Sequence, residues 1–292
     1  MVWEFKTHEL PAHLRRMRNT PERLFIRASK PDTFMDLMRR PRVAVIGTRC
    51  VTPYGRQTTQ KLSGELAAKG VVIISGLALG IDSIAHRAAL DSGGLTMAVL
   101  PGTVEEIYPR SHYGLAIDMI ESGGVLLSEQ PTNMPPLKQH FIARNRIVAG
   151  LADALLVVEA ADNSGTVHTT NFAKDQGIAI FAVPGNIDSP MSDGTNKLIK
   201  DGAKLVTSAG DILNALNLAS PLQDSTATSM QRSIGANSNE QILLNLLESG
   251  VYDGNELLAQ SQLDAQTFNH HMTMLEIGAK IRSLGSNQWG IA

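Results

Sequence analysis

Cysteine, aromatic rings and long apolar runs are all scarce in this chain, and each scarcity removes a class of protein. Cys50 is the single cysteine, which excludes an internal disulfide framework and a cysteine-rich zinc site. Aromatics make up 4% of the residues, so a protein reading bases through many stacking platforms is not announced. No apolar run approaches the roughly 20 residues needed to span a bilayer. The start, "MVWEFKTHEL", lacks the basic-then-apolar order of a secretory signal. A reducing cytoplasm, away from membranes, is the expected setting. Neither G-x-x-x-x-G-K-[ST] nor the three-glycine dinucleotide fingerprint occurs, which leaves nucleotide hydrolysis and hydride transfer little support. Net charge is small as well, with 26 Lys+Arg against 28 Asp+Glu. A nucleic-acid partner must therefore be argued locally.

What the sequence does hold, from Val43 onward, is a series of short runs of Val, Ile, Leu and Ala. They are "VAVIG" (43–47), "VVIIS" (71–75), "LTMAVL" (95–100), "GVLLS" (124–128), "ALLVVEA" (154–160) and "IAIFAV" (178–183). Strands with one wet face alternate polar and apolar residues; runs this uniform are buried on both faces, as in a parallel sheet covered by helices. The segments between them have the length and spacing of crossover helices, and "YGRQTTQKLSGELAAKG" stops at Gly70 as helices often do. The expected fold class is α/β, a doubly wound, mostly parallel sheet over residues 43–217. A basic extension, 1–42, precedes it and packs Leu24, Phe25 and Ile26 on the sheet edge. Residues 218–238 are rich in Ser, Thr, Ala, Asn and Gln and read as a linker. Residues 239–292 read as three short helices and a hairpin, the outline of a small C-terminal winged-helix domain.

Charge is unevenly spread over these parts. Residues 1–60 hold 12 Lys+Arg and 5 Asp+Glu, whereas residues 221–292 hold 3 and 7. Phosphate would be repelled by the second balance, so the tail is read as a protein-contacting or structural module. One short stretch stands out against the rest: "LKQHFIARNRIVAG" (137–150) has one lysine, two arginines and a histidine around Phe141, and no acid.

Ligands of open α/β sheets bind at the carboxyl ends of the strands. The turns there, "GTRCVTPYG", "SGLALGID" and "PGTVEEIYPR", are rich in glycine and small polar residues. Such turns let a backbone approach an anion, although tight turns need glycine anyway. Arg49 follows the first strand, Arg110 follows the third, and Lys138, Arg144 and Arg146 precede or begin the helix leading to the fifth. Singly, each is as well explained as a solvated charge; a cluster without acids is harder to dismiss. Arg144 and Arg146 are two apart, so on a helix they do not share a face. Ser75, Asp82 and His86 include a nucleophile, an acid and a base, but the local spacing does not put the histidine between its partners. His270 and His271 have no companion ligands, so no metal is expected. Glu159 reads as a carboxylate capping loop amides.

Taken in order, "VAVIGTR…TPYG", "ISGLALGID…AH", "GG.T.AVL", "IYP", "LLSEQP", "HFIARNRIVAGLADALLVVEA", "SGT" and "FAVPGNI.SP.S.GTNKLI..GA" resemble the DNA-processing family known as DprA or Smf, over roughly residues 41–210. That resemblance implies a Rossmann-like domain binding single-stranded DNA without strong sequence preference. It also implies dimers formed through this domain, and delivery of incoming strands to the RecA recombinase in natural transformation. It implies neither catalysis nor a cofactor. Carried over, the phosphate-binding pocket uses Arg49, Ser75 and Gly76, with Arg110, Lys138, Phe141, Arg144, Asn145 and Arg146 along the same edge. Phe141 would stack on a base, a contact worth about 1–3 kcal/mol. The chain departs from the family at Leu79 and Leu95, where cations or polar residues are usual, at Pro101, and at "VHTT" with His168. Two other readings stay open. One is a nucleoside monophosphate phosphoribohydrolase-like enzyme, of whose "PGGxGTxxE" element "LPGTVEE" is a partial echo. The other is an adaptor whose pocket has decayed.

Overall fold

The structure is a computed structural model and describes residues 1–17, 19–132, 134, 137–162, 164–218, 238–248, 251–278, 280–285 and 287–291. It divides into two compact units, Met1–Pro221 and Leu222–Ala292.

In the first unit the apolar runs become parallel strands β3 (Arg42–Ile46), β4 (Val72–Ser75), β5 (Thr96–Val99), β6 (Val125–Ser128), β7 (Ala154–Val157) and β8 (Ala179–Ala182). With β1 (Val2–Lys6), β2 (Arg23–Arg27) and β9 (Lys204–Leu205) they form one sheet in the order β1-β2-β6-β5-β4-β3-β7-β8-β9. Pairing is parallel from β6 through to β9, and antiparallel at β1–β2 and β2–β6. Chain order reverses around β3, which lies between β4 and β7. This is the doubly wound, Rossmann-like arrangement.

The uniform composition of the strands has a simple cause. Ala44 and Ile46 of β3 point into one buried cluster while Val43 and Val45 point into another. Leu155 and Val157 of β7 divide from Ala154 and Leu156 in the same way. Both faces are dry, so the strand centres are apolar on each.

Nine helices of this unit are described: α1 (Ala12–Arg15), α2 (Thr33–Met38), α3 (Pro53–Ala68), α4 (Ile81–Asp91), α5 (Tyr113–Glu121), α6 (Lys138–Leu151), α7 (Thr166–Asp175), α8 (Asp193–Lys200) and α9 (Ala209–Ala215). Helix α3 shows how local sequence sets its ends. The Thr52 hydroxyl accepts from the Gly55 amide at 3.1 Å, Pro53 occupies the first turn, and Gly70 leaves the helix at φ +81°.

Residues 1–42 do more than lie on the edge. Leu24, Phe25 and Ile26 form strand β2, paired in register with β6 through Ile26 opposite Leu127.

The second unit holds α10 (Ser238–Glu248), α11 (Gly254–Ser261), α12 (Ala265–Ile277) and an antiparallel hairpin of β10 (Ile281–Gly285) and β11 (Gln288–Ile291). Leu243, Leu247, Leu257, Phe268 and Leu275 give it a core of its own. Three helices and a hairpin are the winged-helix order. The linker expected over 218–238 lies outside the described residues except at its two ends. Among the described residues no helix is long and apolar enough to cross a membrane.

Candidate functional site

A cavity of about 420 Å³ opens at the chain reversal, beyond the carboxyl end of β3. Its walls are the loop after β3 (Thr48, Arg49), the start of α4 (Asp82), one side of α6 (Phe141, Asn145) and the start of α7 (Thr166).

Two loops interlock to build the rim. Gly80, at φ +86°, sits so close that a Cβ would lie 2.3 Å from the Thr48 carbonyl oxygen and 2.7 Å from the Arg49 Cα. The Ile81 amide donates to the Thr48 carbonyl at 3.2 Å, and the Thr48 amide donates to the Glu159 carbonyl at 2.8 Å. Glu159 is buried, and its carboxylate accepts from the Thr52 amide at 3.1 Å and from the Thr52 hydroxyl. Space for that carboxylate exists because residue 55 is glycine; a Cβ there would stand 1.9 Å from Oε2. Glu159 thus anchors the loop that carries Arg49.

Arg49 is exposed, and its guanidinium carbon lies 5.5 Å from the centroid of Phe141. Tyr108 meets Phe141 edge to face, with centroids 5.8 Å apart. Arg110 follows Tyr108 by two residues, and Lys138 lies one helical turn before Phe141; both are exposed. Among the described residues none of these three cations has an ion-pair partner.

The other expected site residues are committed internally. Arg144 is buried in the cavity wall, donating to the Gly76 carbonyl at 2.8 Å, to the Val99 carbonyl and to the Asn145 side-chain oxygen at 3.2 Å. Burial pulls its guanidinium down to about 10, against the support of the Asp82 carboxylate. Asp82 in turn accepts from the Gly76 amide at 3.0 Å, and burial raises its carboxyl above the usual range while Arg144 opposes the rise. The Gly76 amide is therefore not free for a phosphate, and a Cβ on residue 76 would strike the Arg144 guanidinium. Ser75, fully buried, donates its hydroxyl to the Val45 carbonyl at 2.6 Å. Arg146 grips Glu129 with both terminal nitrogens, at 2.5 and 2.6 Å, and donates from Nε to the Asn19 carbonyl at 2.9 Å. Ser75, Gly76, Arg144 and Arg146, expected along the DNA-binding edge, each engage protein partners, while Arg144 also lines the cavity and Gly76 the neighbouring cleft. Arg49, Arg110, Lys138 and Phe141 remain open, and Asn145 lines the cavity with its oxygen turned to Arg144.

No relay links Ser75, Asp82 and His86 either. The Thr96 hydroxyl donates to the Ile73 carbonyl at 2.7 Å, so the His86 Nδ1, 2.6 Å from that hydroxyl, must be the donor to it. His86 Nε2 then has no partner among the described residues, and burial, with His112 and Arg144 nearby, lowers the imidazole to about 3.

Sequence reading missed Asp82 and Glu129 as the acids that claim Arg144 and Arg146. It also missed Tyr108 and gave no role to Leu79 beyond a lost cation. The available signal was the "LLSEQP" glutamate just upstream of a segment that itself has no acid.

Comparison with known proteins agrees with this architecture. The family described as DNA recombination-mediator protein A matches residues 1–217. Protein Smf of Escherichia coli is 47% identical over 174 residues, covering 60% of this chain but 46% of the longer relative. The DNA processing protein DprA of Streptococcus pneumoniae is 41% identical over 203 residues, 70% of each chain. Its X-ray structure superposes with a TM-score of 0.66 at 38% identity over 73% of each chain. DNA processing protein A of Helicobacter pylori, described for its single-stranded DNA binding mode, gives 0.66 at 32% identity over 74% of this chain and 96% of its own. With the fold, the order of its motifs and the family match over three quarters of its length in agreement, the chain belongs to the DNA recombination-mediator protein A family.

Proposed function

We propose that this protein binds single-stranded DNA along the carboxyl edge of its sheet and, in the cytoplasm, passes it to a RecA-type recombinase during DNA uptake. It would act as a homodimer through the Rossmann-like domain and without catalysis. The observation that carries this reading is Arg49, an exposed cation lining the cavity, on a loop anchored by Glu159, with its guanidinium 5.5 Å from the centroid of Phe141. A single strand offers phosphates to such a cation and bases to such a ring, in alternation. Arg110, two residues after Tyr108, and Lys138, one helical turn before Phe141, add exposed charge in the same segments. The phosphoribohydrolase-like enzyme is not favoured, because the family matched is one of recombination mediators.

Titrating the full chain with fluorescent oligothymidine, with duplex of the same length, and with nucleoside monophosphates tests the proposal. Tight binding of the single strand, weak binding of duplex and no turnover of monophosphates is the expected result. Monophosphate hydrolysis with no oligomer binding would overturn it. Stimulated assembly of the recombinase on coated single strands, and a dimer mass by sedimentation, check the two partner assignments.

A further inference from the structure

We infer that Tyr108 and Leu79 form the jaws of a second notch, beside the Arg49–Phe141 platform, that takes one nucleobase of the strand. This deepens the single-strand reading above and rests on it.

Leu79 is 52% exposed and Tyr108 50% exposed, although Leu77 and Ile107 of the same loops are buried. Between Ser75 and Ile81 the backbone turns through two positive-φ residues, Leu77 at +55° and Gly80 at +86°. For a leucine that conformation is unfavourable, and it places the Leu77 side chain in the core while Leu79 projects into solvent. Gly80, packed on the backbone of Thr48 and Arg49, fixes the projection. A loop so constrained to expose an apolar side chain at a ligand edge points to contact with a ligand.

Leu79, Tyr108, Pro101, Pro109 and Phe141 enclose a small cleft of about 70 Å³ with Arg49 at its rim. Phe141 already carries the Arg49 guanidinium near its ring and meets Tyr108 edge to face, so less of it is available for stacking than the sequence suggested. Tyr108 is the more exposed ring. Arg49, without an ion-pair partner among the described residues, lines the cleft, and the exposed Arg110 follows Tyr108 by two residues in the chain. An apolar cleft with a cation at its rim matches a base beside a phosphate in a single strand. An apolar segment of a protein would leave those charges unanswered. A paired base, locked in its own stack, cannot enter.

The test compares the full chain with its Tyr108→Ala, Tyr108→Phe, Leu79→Ala and Arg49→Ala variants on two fluorescent ligands, oligothymidine and an abasic deoxyribose-phosphate oligomer of equal length. Tyr108→Ala should weaken oligothymidine binding roughly tenfold and leave the abasic oligomer within about twofold, because a base–aromatic contact is lost and no phosphate contact is. Tyr108→Phe should keep wild-type affinity, Leu79→Ala should lose less in the same direction, and Arg49→Ala should weaken both ligands. Unchanged oligothymidine affinity in Tyr108→Ala, or equal loss on both ligands at an unaltered thermal midpoint, removes the notch alone. Failure of the wild type to bind either ligand removes the single-strand reading and the notch with it.

Discussion

Arg49 and Arg144 lie on the same cavity and do opposite work, and the difference is burial. Arg144, fully desolvated, ties the ends of β4 and β5 together and offsets Asp82; Arg49 is wet and unpaired. Arg144→Ala would strand the Gly76 and Val99 carbonyls and leave Asp82 without its countercharge. A loss of about 3–5 kcal/mol in urea unfolding is the expected cost of breaking such a buried set. Arg49→Ala should leave the urea midpoint in place and lower oligothymidine affinity severalfold. His86 makes a third residue-level case. It is neutral in the fold, at about 3, and free to protonate in the unfolded chain near its ordinary 6.5. Below that value the unfolded state binds the extra proton, so stability falls as pH drops through the window from 6.5 towards 3. The contribution of this one residue approaches about 1.4 kcal/mol per pH unit. Urea unfolding of His86→Gln at pH 4, 5 and 7 should show a flatter acid limb than the wild type; equal slopes would refute the assignment. None of these distinctions was legible in the sequence. Arg144 and Arg146 read there as free cations because their acids lie 62 and 17 residues upstream, and no local pattern links them.

At the level of elements the sequence was far more informative. A strand with two dry faces favours apolar residues throughout, so the runs at 43–47 and 154–160 announced themselves as β3 and β7. Helix α3 was equally clear from its length, its apolar spacing and its glycine stop. Strand β2 was harder, since "RLFIR" is short and flanked by charge, and its pairing with β6 is antiparallel and reaches across a hundred residues. The interlocked turns at Thr48 and Gly80 were visible only as glycine-rich loops; the close approach that makes glycine necessary is a tertiary fact. Gly80→Ala should therefore do two things at once. A side chain at φ +86°, pressed on the Thr48 carbonyl, should destabilise the fold by more than about 1 kcal/mol. It should also displace Arg49 and weaken single-strand binding in whatever fraction remains folded. Gly93→Ala supplies the contrast: its φ is +69°, but nothing lies within 4 Å of its Cβ position. Thermal melts of both, with binding measured well below each midpoint, separate backbone strain from the collision.

For the molecule as a whole, a formal charge of −2 gives no general attraction to nucleic acid, and the second unit is more acidic than the first. Helix α12, at the recognition position of the winged-helix order, carries no Lys or Arg and exposes Met274 and Ile277. On the proposed reading, binding comes from a few cations at one edge, which sets its response to salt. Each phosphate neutralised on a single strand contributes about −0.7 to the slope of log affinity against log salt. Arg49, Arg110 and Lys138 together predict a slope near −2, so raising salt from about 50 to 200 mM should weaken binding roughly twentyfold. Removing Arg49 should shift that slope by about 0.7. Removing Arg146, which is held by Glu129, should leave it alone. A slope several units steeper would mean that cations outside this edge, such as those of residues 1–42, also meet the strand. One near zero would mean that phosphate is not what Arg49 holds. The Arg146 comparison decides most, because charge counting along "LKQHFIARNRIVAG" gives Arg146 the same weight as Lys138, whereas the fold gives it none.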